Sequence, residues 1–126
     1  MQYGSVVQGR FLARPNRFIA LVEIDGVETV CHVRNTGRCR ELLRPGATVY
    51  LERSGNLLRK TAFDLIAVDK DGLLINMDAQ APNKVFGEFA RSFEPAVLDV
   101  KPEYVYGASR LDFCLTCPDG LHLVEV

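Results

Sequence analysis

Two carboxylates near the end of the sequence are spaced so that they could hold a divalent cation together. Asp112 lies in an alternating run from Arg110 to Thr116, and Glu125 lies in the apolar run 121–126 that follows a Pro-Asp-Gly turn signal. A hairpin with a loop from Cys117 to Gly120 sets the two acids opposite each other, with about 5 Å between their Cβ atoms. Like charges at that distance repel, whereas Mg²⁺ is commonly held by one or two carboxylates with water and phosphate oxygens. The pattern predicts a Mg²⁺ site, unless the register is shifted by one residue and Glu125 is a solvated edge residue.

A second set of residues could bind phosphate. Residues 1–60 contain ten Lys or Arg against five Asp or Glu, whereas residues 61–126 contain five against eleven. Nine of the ten cations in the first half are arginines, whose planar guanidinium pairs with phosphate and stacks on bases. An arginine-rich solvated surface is the alternative interpretation. The predicted nucleic-acid-binding residues are Arg14, Arg17, Arg34, Asn35, Thr36, Gly37, Arg38 and Arg40.

Within that set, Asn35, Thr36 and Gly37 offer backbone N–H groups and a hydroxyl at the start of a predicted helical turn, which suits one phosphate. Asn35 would serve equally well as a helix cap. The candidate stacking partners for bases are Phe11, Phe18 and Tyr50. For Phe11 and Phe18 a core position is the favoured interpretation, because aromatic residues in apolar strands usually face inward.

The elements that must position these residues are mostly short strands. One or two helical turns are expected in Gly37 to Leu43, ended by Pro45 and Gly46. Five strands with a short helix after the third is the order of an OB-fold barrel, although a β-meander or another small barrel has a similar pattern. The predicted strands are Val6 to Ala13, Arg17 to Ile24, Val27 to Val33, Thr48 to Arg53 and Thr61 to Val68.

The remainder begins with a connector strand, Leu73 to Met77, and a domain boundary is expected near residues 79 to 83. A helix is predicted from Lys84 to about Phe93, with Asn83 as its N-cap. Its apolar residues, spaced as one helical face, are expected to belong to a core.

The chain has no signal peptide and no apolar run long enough for a membrane span, so the cytosol is the expected compartment. Its four cysteines are then expected to be reduced, buried thiols. Cys114 and Cys117 have C-x-x-C spacing, but a second such pair is missing from the sequence, which argues against a zinc site. His32 and His122 stand alone in apolar runs, which favours packed or solvated side chains over metal ligands.

Several motifs resemble those of the sugar fermentation stimulation protein family, SfsA. The segment from Tyr106 to Phe113, followed by Val124, Glu125 and Val126, is similar to the family's signature. Further similar stretches are Arg14, Arg17, Phe18 and Ala20, the run from Asn35 to Gly46, and the pair Pro82 and Asn83.

This resemblance implies a mainly β fold, in which an OB-fold-like five-stranded barrel occupies residues 1–80. Residues 81–126 would be the beginning, a helix and a β-hairpin, of an α/β domain like that of PD-(D/E)xK nucleases. Glu88, Asp112 and Glu125 would then be the catalytic and metal-binding residues, with Mg²⁺ as the cofactor. The lysine of that nuclease pattern would follow Val126, so we expect an N-terminal fragment that does not cleave DNA by itself.

The resemblance also implies the partner and the role. DNA, single- or double-stranded, is the expected partner, bound with little or no sequence specificity, and the family name points to regulation of sugar catabolism. A non-catalytic regulator with vestigial acids stays open, as does a barrel that binds a protein partner or a small anionic ligand.

Overall fold

The computed structural model describes residues 1–56, 58–92 and 97–126 of the chain. These residues divide into two compact units, Gln2–Ala79 and Gln80–Val126, the second of which also includes Met1. The fold is mainly β, and the described residues contain one α-helix. None of the helices in this part of the chain has the length and apolar character of a membrane span.

The first unit is a closed barrel of five strands, as the sequence predicts. β1 pairs antiparallel with β2 and β4, β2 with β3, and β4 with β5, while a parallel pairing of β3 with β5 closes the ring. A sixth strand pairs antiparallel with β5 outside the ring. The strands are β1 (Val6–Ala13), β2 (Ile19–Ile24), β3 (Val27–Val33), β4 (Thr48–Arg53), β5 (Phe63–Lys70) and β6 (Leu73–Asn76).

Alternating apolar residues of these strands fill the barrel. Val22, Val49, Leu51 and Leu65 are fully buried in its core, because every second side chain of a strand points to the same face. Gly9 allows β1 to pass close to its neighbours, since a Cβ atom there would lie 2.6 Å from the Val22 side chain.

The connection from β3 to β4 is at the short end of the prediction of one or two helical turns. It contains a single turn, in which the N–H of Leu43 donates to the carbonyl of Cys39 over 2.8 Å. Cys39 has φ of 50°, in the left-handed region, and a residue in that conformation interrupts a right-handed helix. The loop is therefore irregular, and its carbonyl groups are available to other donors.

The second unit packs a short helix on a three-stranded antiparallel sheet. The elements are α1 (Ala81–Phe89) with a 3₁₀ turn (Ala90–Ser92), β7 (Asp99–Tyr106), β8 (Ser109–Cys117) and β9 (Gly120–Val124). The strand order is β7-β8-β9. The ring of Phe86 on α1 packs on that of Phe113 on β8, with 4.9 Å between their centroids, which fixes the helix above the central strand.

Two local expectations change here, and a third is not tested. Asn83 is not the N-cap, because the helix begins at Ala81 and Gln80 occupies the cap position; Pro82, which lacks an N–H, is well suited to a first turn. The strand β7 was not expected from its acid-rich sequence. The predicted helix end at Phe93 lies outside the described residues.

Candidate functional site

A groove on the barrel brings four of the predicted arginines together. Its volume is about 520 Å³. Asp and Glu are absent from the described residues that line it. The polar lining is Arg14, Asn16, Arg17, Arg38 and Arg40, and the apolar lining is Phe11, Leu12, Ala13, Leu43 and Pro45.

Arg14 holds the two loops that form this groove. Its guanidinium donates to the carbonyl groups of Asn35, Gly37 and Arg38 in the β3–β4 loop, and to that of Arg17 in the β1–β2 loop. One side chain thus satisfies four backbone carbonyl groups of the two loops. These bonds give Arg14 a positioning role in the loops, and its direct binding of nucleic acid stays a prediction.

Arg17, Arg38 and Arg40 are the exposed cations of the groove. The guanidinium of Arg17 lies over the ring of Phe18, with 5.0 Å from its central carbon to the ring centroid. Phe18 is 47% exposed, so the expectation that it faces the core is wrong. Phe11 is buried, as expected, and is one of the apolar residues that line the groove.

Arg34 lies in a different environment from the other predicted arginines. It pairs with three carboxylates, those of Glu52 at 2.7 Å, Asp64 at 2.9 Å and Asp78 at 3.1 Å. Burial by itself lowers the pKa of Arg34, but the hydrogen bonds that it donates to Asp78, Asp64 and Glu52 outweigh burial and raise the pKa. Three carboxylates thus surround the charge of Arg34 within the barrel, and its part in binding nucleic acid stays a prediction.

The predicted phosphate cradle is partly used by the loop itself. The Oδ1 of Asn35 accepts the N–H of Gly37 over 2.8 Å, and its amide donates to the carbonyl of Met77 over 2.9 Å. Asn35 therefore acts as a turn-forming residue, close to the capping alternative. Thr36 and Gly37 are exposed, which keeps them accessible beside the groove.

Sequence reasoning missed two residues of this region. Asn16 staples the β1–β2 loop, because its Oδ1 accepts the N–H groups of Phe18 and Ile19 over 2.8 and 3.0 Å; Asn directly after Pro is a common turn signal. Arg59 pairs with Asp64 at 2.7 Å. An acid inside the apolar run of β5 could have indicated such a partner, since buried carboxylates are usually paired.

The acidic pair of the second unit has the predicted register. Cys114 pairs with Leu123 and Phe113 with Val124, and the next position along the same ladder sets Asp112 beside Glu125. The strands are longer than expected, so that Pro118 and Asp119 alone form the turn.

Asp112 is oriented by its neighbours. Its Oδ2 accepts the N–H of Val126 over 2.8 Å, and its Oδ1 accepts the amide of Asn83 over 3.3 Å. The N–H of Val126 contributes most to lowering the pKa of Asp112, with help from Asn83, Glu125 and the charge of Arg110. The pKa of Glu125 is raised, by desolvation first and then by the charge of Asp112. The two carboxylates therefore share one site, in which one ionises more readily than the other.

This donor set fits a hard divalent cation. Carboxylate oxygens are the ligands that Mg²⁺ and Ca²⁺ prefer, and after desolvation the charge of Asp112 is the next cause of the raised pKa of Glu125. Glu88, the third predicted ligand, is exposed on α1 and pairs with the amino-terminal ammonium of Met1. Its part in a metal site stays a prediction.

Comparisons with known proteins agree with this architecture. A family model described as the SfsA N-terminal OB domain matches residues 12–77. The chain is 51% identical to the sugar fermentation stimulation protein homolog of Desulfitobacterium hafniense and 52% identical to that of Clostridium beijerinckii. Each alignment includes the whole chain but only 56% and 57% of the relative, so the chain spans little more than half the length of these relatives.

A solved structure supports the same assignment. SfsA of Pyrococcus furiosus, determined in complex with Ca²⁺, matches 99% of this chain and 55% of its own, with a TM-score of 0.82 and 28% sequence identity. The matched family model covers more than half of the 126 residues and coincides with the barrel described above. The chain therefore belongs to the sugar fermentation stimulation protein family.

Proposed function

We propose that this protein binds DNA along the arginine-lined groove of its barrel. The observation that carries the proposal is the cluster of Arg17, Arg38 and Arg40, exposed around an apolar floor and accompanied by the exposed ring of Phe18. OB barrels that bind single strands combine a positive groove with aromatic surfaces on which bases stack. Guanidinium groups supply the first component, and the Arg17–Phe18 pair supplies the second.

The contacts available in the groove are suited to the backbone and faces of DNA rather than to base edges. Arginines that pair with phosphates fix position without reading sequence, and stacking tolerates every base. We therefore expect low sequence specificity and a preference for single strands. A DNA-binding regulator of sugar catabolism is a role compatible with this chemistry and with the family's name.

The test is a titration of labelled single- and double-stranded oligonucleotides at two salt concentrations. A variant lacking the three exposed arginines, Arg17→Ala, Arg38→Ala and Arg40→Ala, is expected to bind at least about tenfold more weakly. Each lost phosphate contact should also reduce the slope of log K against log salt by about 0.7 to 0.9. Arg14 stays intact in this variant, so the loops keep their shape.

A matched control removes three charges elsewhere on the barrel. Arg10→Ala, Arg44→Ala and Lys60→Ala lie outside the lining of the groove, and we expect this variant to retain most of the affinity. Equal losses in the two variants would mean that net charge alone drives binding. Lack of binding to both strand forms would overturn the proposal and favour a protein partner or a small anionic ligand.

We also propose that Asp112 and Glu125 hold a divalent cation, Mg²⁺ in the cell. Their contact, and the Ca²⁺ complex of the Pyrococcus furiosus relative, support this second candidate. A bound cation would place positive charge next to a DNA phosphate, which is the chemistry of metal-dependent phosphodiester cleavage. Asn83 and the N–H of Val126 hold the Asp112 carboxylate in one orientation for this role.

Calorimetric titration with Mg²⁺ and with Ca²⁺ tests the cation proposal independently of any cleavage. Asp112→Asn should weaken binding at least about tenfold, the lower end of what altered metal sites usually show. Glu88→Gln examines the third predicted ligand: a comparable loss would assign Glu88 to the site, and unchanged binding would restrict the site to the hairpin. Lack of binding by the unmodified protein, or undiminished binding by Asp112→Asn, would refute the proposal. For cleavage, a protein of the relatives' full length, incubated with DNA and Mg²⁺, is the relevant sample.

A further inference from the structure

The turn of the β8–β9 hairpin carries a second group of metal-ligating side chains. The Sγ of Cys117, a carboxylate oxygen of Asp119 and a ring nitrogen of His122 all lie within 4.8 Å of one another. The Nε2 of His122 is 3.0 Å from the Oδ1 of Asp119. Three different donor atoms thus converge within six residues of sequence.

The backbone explains why these side chains meet. Cys117 pairs with Gly120 across the ladder, and Leu115 pairs with His122. Leu115 and Cys117 are two residues apart on β8 and share a face, so His122 projects from that same face beside Cys117. Asp119, in the two-residue turn, reaches His122 from the end of the hairpin.

This group is separate from the Asp112–Glu125 pair. Asp112 is five residues from Cys117 along β8, which corresponds to roughly 17 Å at the rise of an antiparallel strand. An odd separation also places Asp112 and Cys117 on opposite faces of the sheet. The residues of one site therefore cannot coordinate a cation that is bound at the other.

The donor set selects a class of metal. Sulfur and imidazole nitrogen are ligands for Zn²⁺ and related transition metals, whereas Mg²⁺ and Ca²⁺ take oxygen. Donors around a tetrahedral Zn²⁺ lie about 3.5 Å apart, given Zn–N and Zn–S distances of about 2.1 and 2.3 Å. The three donor atoms of the present group lie within 4.8 Å of one another, so none of the pairs exceeds that spacing by more than about 1.3 Å.

A nucleophilic Cys-His-Asp group is the competing interpretation of the same residues. An activated cysteine needs a lowered pKa, but desolvation raises the pKa of Cys117, and the charges of Asp119 and Cys114 raise it further. This direction does not favour an activated nucleophile, whereas the positive charge of a bound metal ion would stabilise the thiolate.

We propose that Cys117, Asp119 and His122 bind one divalent transition-metal ion of the Zn²⁺ class, with water completing a tetrahedral set. The side chains of Asp119 and His122 are 64% and 31% exposed, so an ion can reach the group from solvent. Three protein ligands and one water describe an open site, which would link the two strands at their turn.

Titration with Co²⁺, a spectroscopic substitute for Zn²⁺, tests the proposal on the purified protein. We expect one Co²⁺ per chain, a sulfur-to-cobalt charge-transfer absorption band, and displacement of Co²⁺ by Zn²⁺ but not by Mg²⁺. Cys117→Ser should abolish the band, and His122→Gln should weaken binding at least about tenfold. Cys114→Ser is the matched control, since Cys114 is also buried on β8 but lies on the other face, and its band should be unchanged.

Three results would overturn the proposal. These are the absence of the band, its persistence in Cys117→Ser, or its loss in Cys114→Ser, which would indicate a two-cysteine site. Circular dichroism shows whether Cys117→Ser folds. If it does not, two other variants, Asp119→Asn in the turn and His122→Gln on β9, decide the question. Unchanged Co²⁺ affinity in both would contradict the assigned ligands. Glu125→Gln should leave the band intact and separates this site from the Mg²⁺ proposal.

Discussion

Carboxylates have cationic partners in the barrel, whereas in the hairpin two carboxylates lie beside each other. In the barrel, Asp64 is 1% exposed and accepts hydrogen bonds from Arg34 and Arg59 over 2.9 and 2.7 Å. In the hairpin, Asp112 and Glu125 contact each other, so that their charges add. A neutralised carboxylate stabilises the fold, whereas a pair of like charges creates a site that an external cation can stabilise.

The arginines show the same division within one unit. Arg14 donates to backbone carbonyl groups, and Arg34 donates to carboxylates. The side chains of the other three, Arg17, Arg38 and Arg40, are exposed to solvent. Arginine therefore stabilises the barrel and its loops at some positions, whereas at others it is available to bind an anion. Only the exposed group should matter for affinity, and only the bonded group for stability.

The largest expected effect that tests this division is the loss of the buried acid. Asp64→Asn should lower the free energy of unfolding by about 3 kcal/mol, because it removes the charge that Arg34 and Arg59 share. Urea denaturation at neutral pH measures it. Asp71→Asn, in an exposed turn with φ of 53° that Asn tolerates, is the control and should change stability by less than about 0.5 kcal/mol. Equal effects would show that Asp64 has no special structural role.

Acid should remove the same contribution without mutation. Burial by itself raises the pKa of Asp64, but hydrogen bonds and charges from Arg59 and Arg34 outweigh it and lower the pKa from 3.8 to about 2. A lowered pKa stabilises the fold above pH 4, and that contribution, about 2 kcal/mol, is lost as the pH falls to 2. Unfolding free energies at pH 5, 4, 3 and 2 should therefore fall less steeply for Asp64→Asn than for the unmodified protein. Parallel pH profiles would contradict this assignment.

A comparison of two arginines separates positioning from binding. Arg14→Ala should lower the stability of the barrel by about 1 to 2 kcal/mol, since it leaves backbone carbonyl groups without their charged donor. Arg17→Ala should cost less than about 0.5 kcal/mol. Hydrogen–deuterium exchange of the peptide spanning 34–47 should rise in the first variant and stay constant in the second. Unchanged exchange in Arg14→Ala would mean that the loop keeps its form by other contacts.

The sequence predicted the barrel and the hairpin because both depend on local patterns. Alternating apolar residues identify strands, and a Pro-Asp-Gly turn sets the register that places Asp112 beside Glu125. Strand β7 was missed because Pro102 and charged residues disfavour a strand. The structure tolerates Pro102 because β7 lies at the edge of its sheet.

The roles of individual arginines could not be predicted in the same way. Arg14 reaches carbonyl groups more than twenty residues away in sequence, and that contact exists only after two loops meet. Phe is a residue type that is common in strands, but Phe18 lies in the β1–β2 loop just before β2 begins. Its ring reaches solvent there. The composition thus predicted a positive surface. Which of its arginines are bonded and which are exposed depends on tertiary contacts.

The smallest expected effect concerns the hairpin and has a sign opposite to that of Asp64. Glu125→Gln removes one of two repelling charges but keeps the hydrogen bonds of Asp112 to Asn83 and to the N–H of Val126. In EDTA its thermal midpoint should therefore rise slightly above that of the unmodified protein. In Ca²⁺ the order should reverse, because the unmodified pair gains from cation binding and the variant gains less. A midpoint that falls in EDTA would show that Glu125 stabilises the hairpin by itself, and the contrast between the two units would then fail.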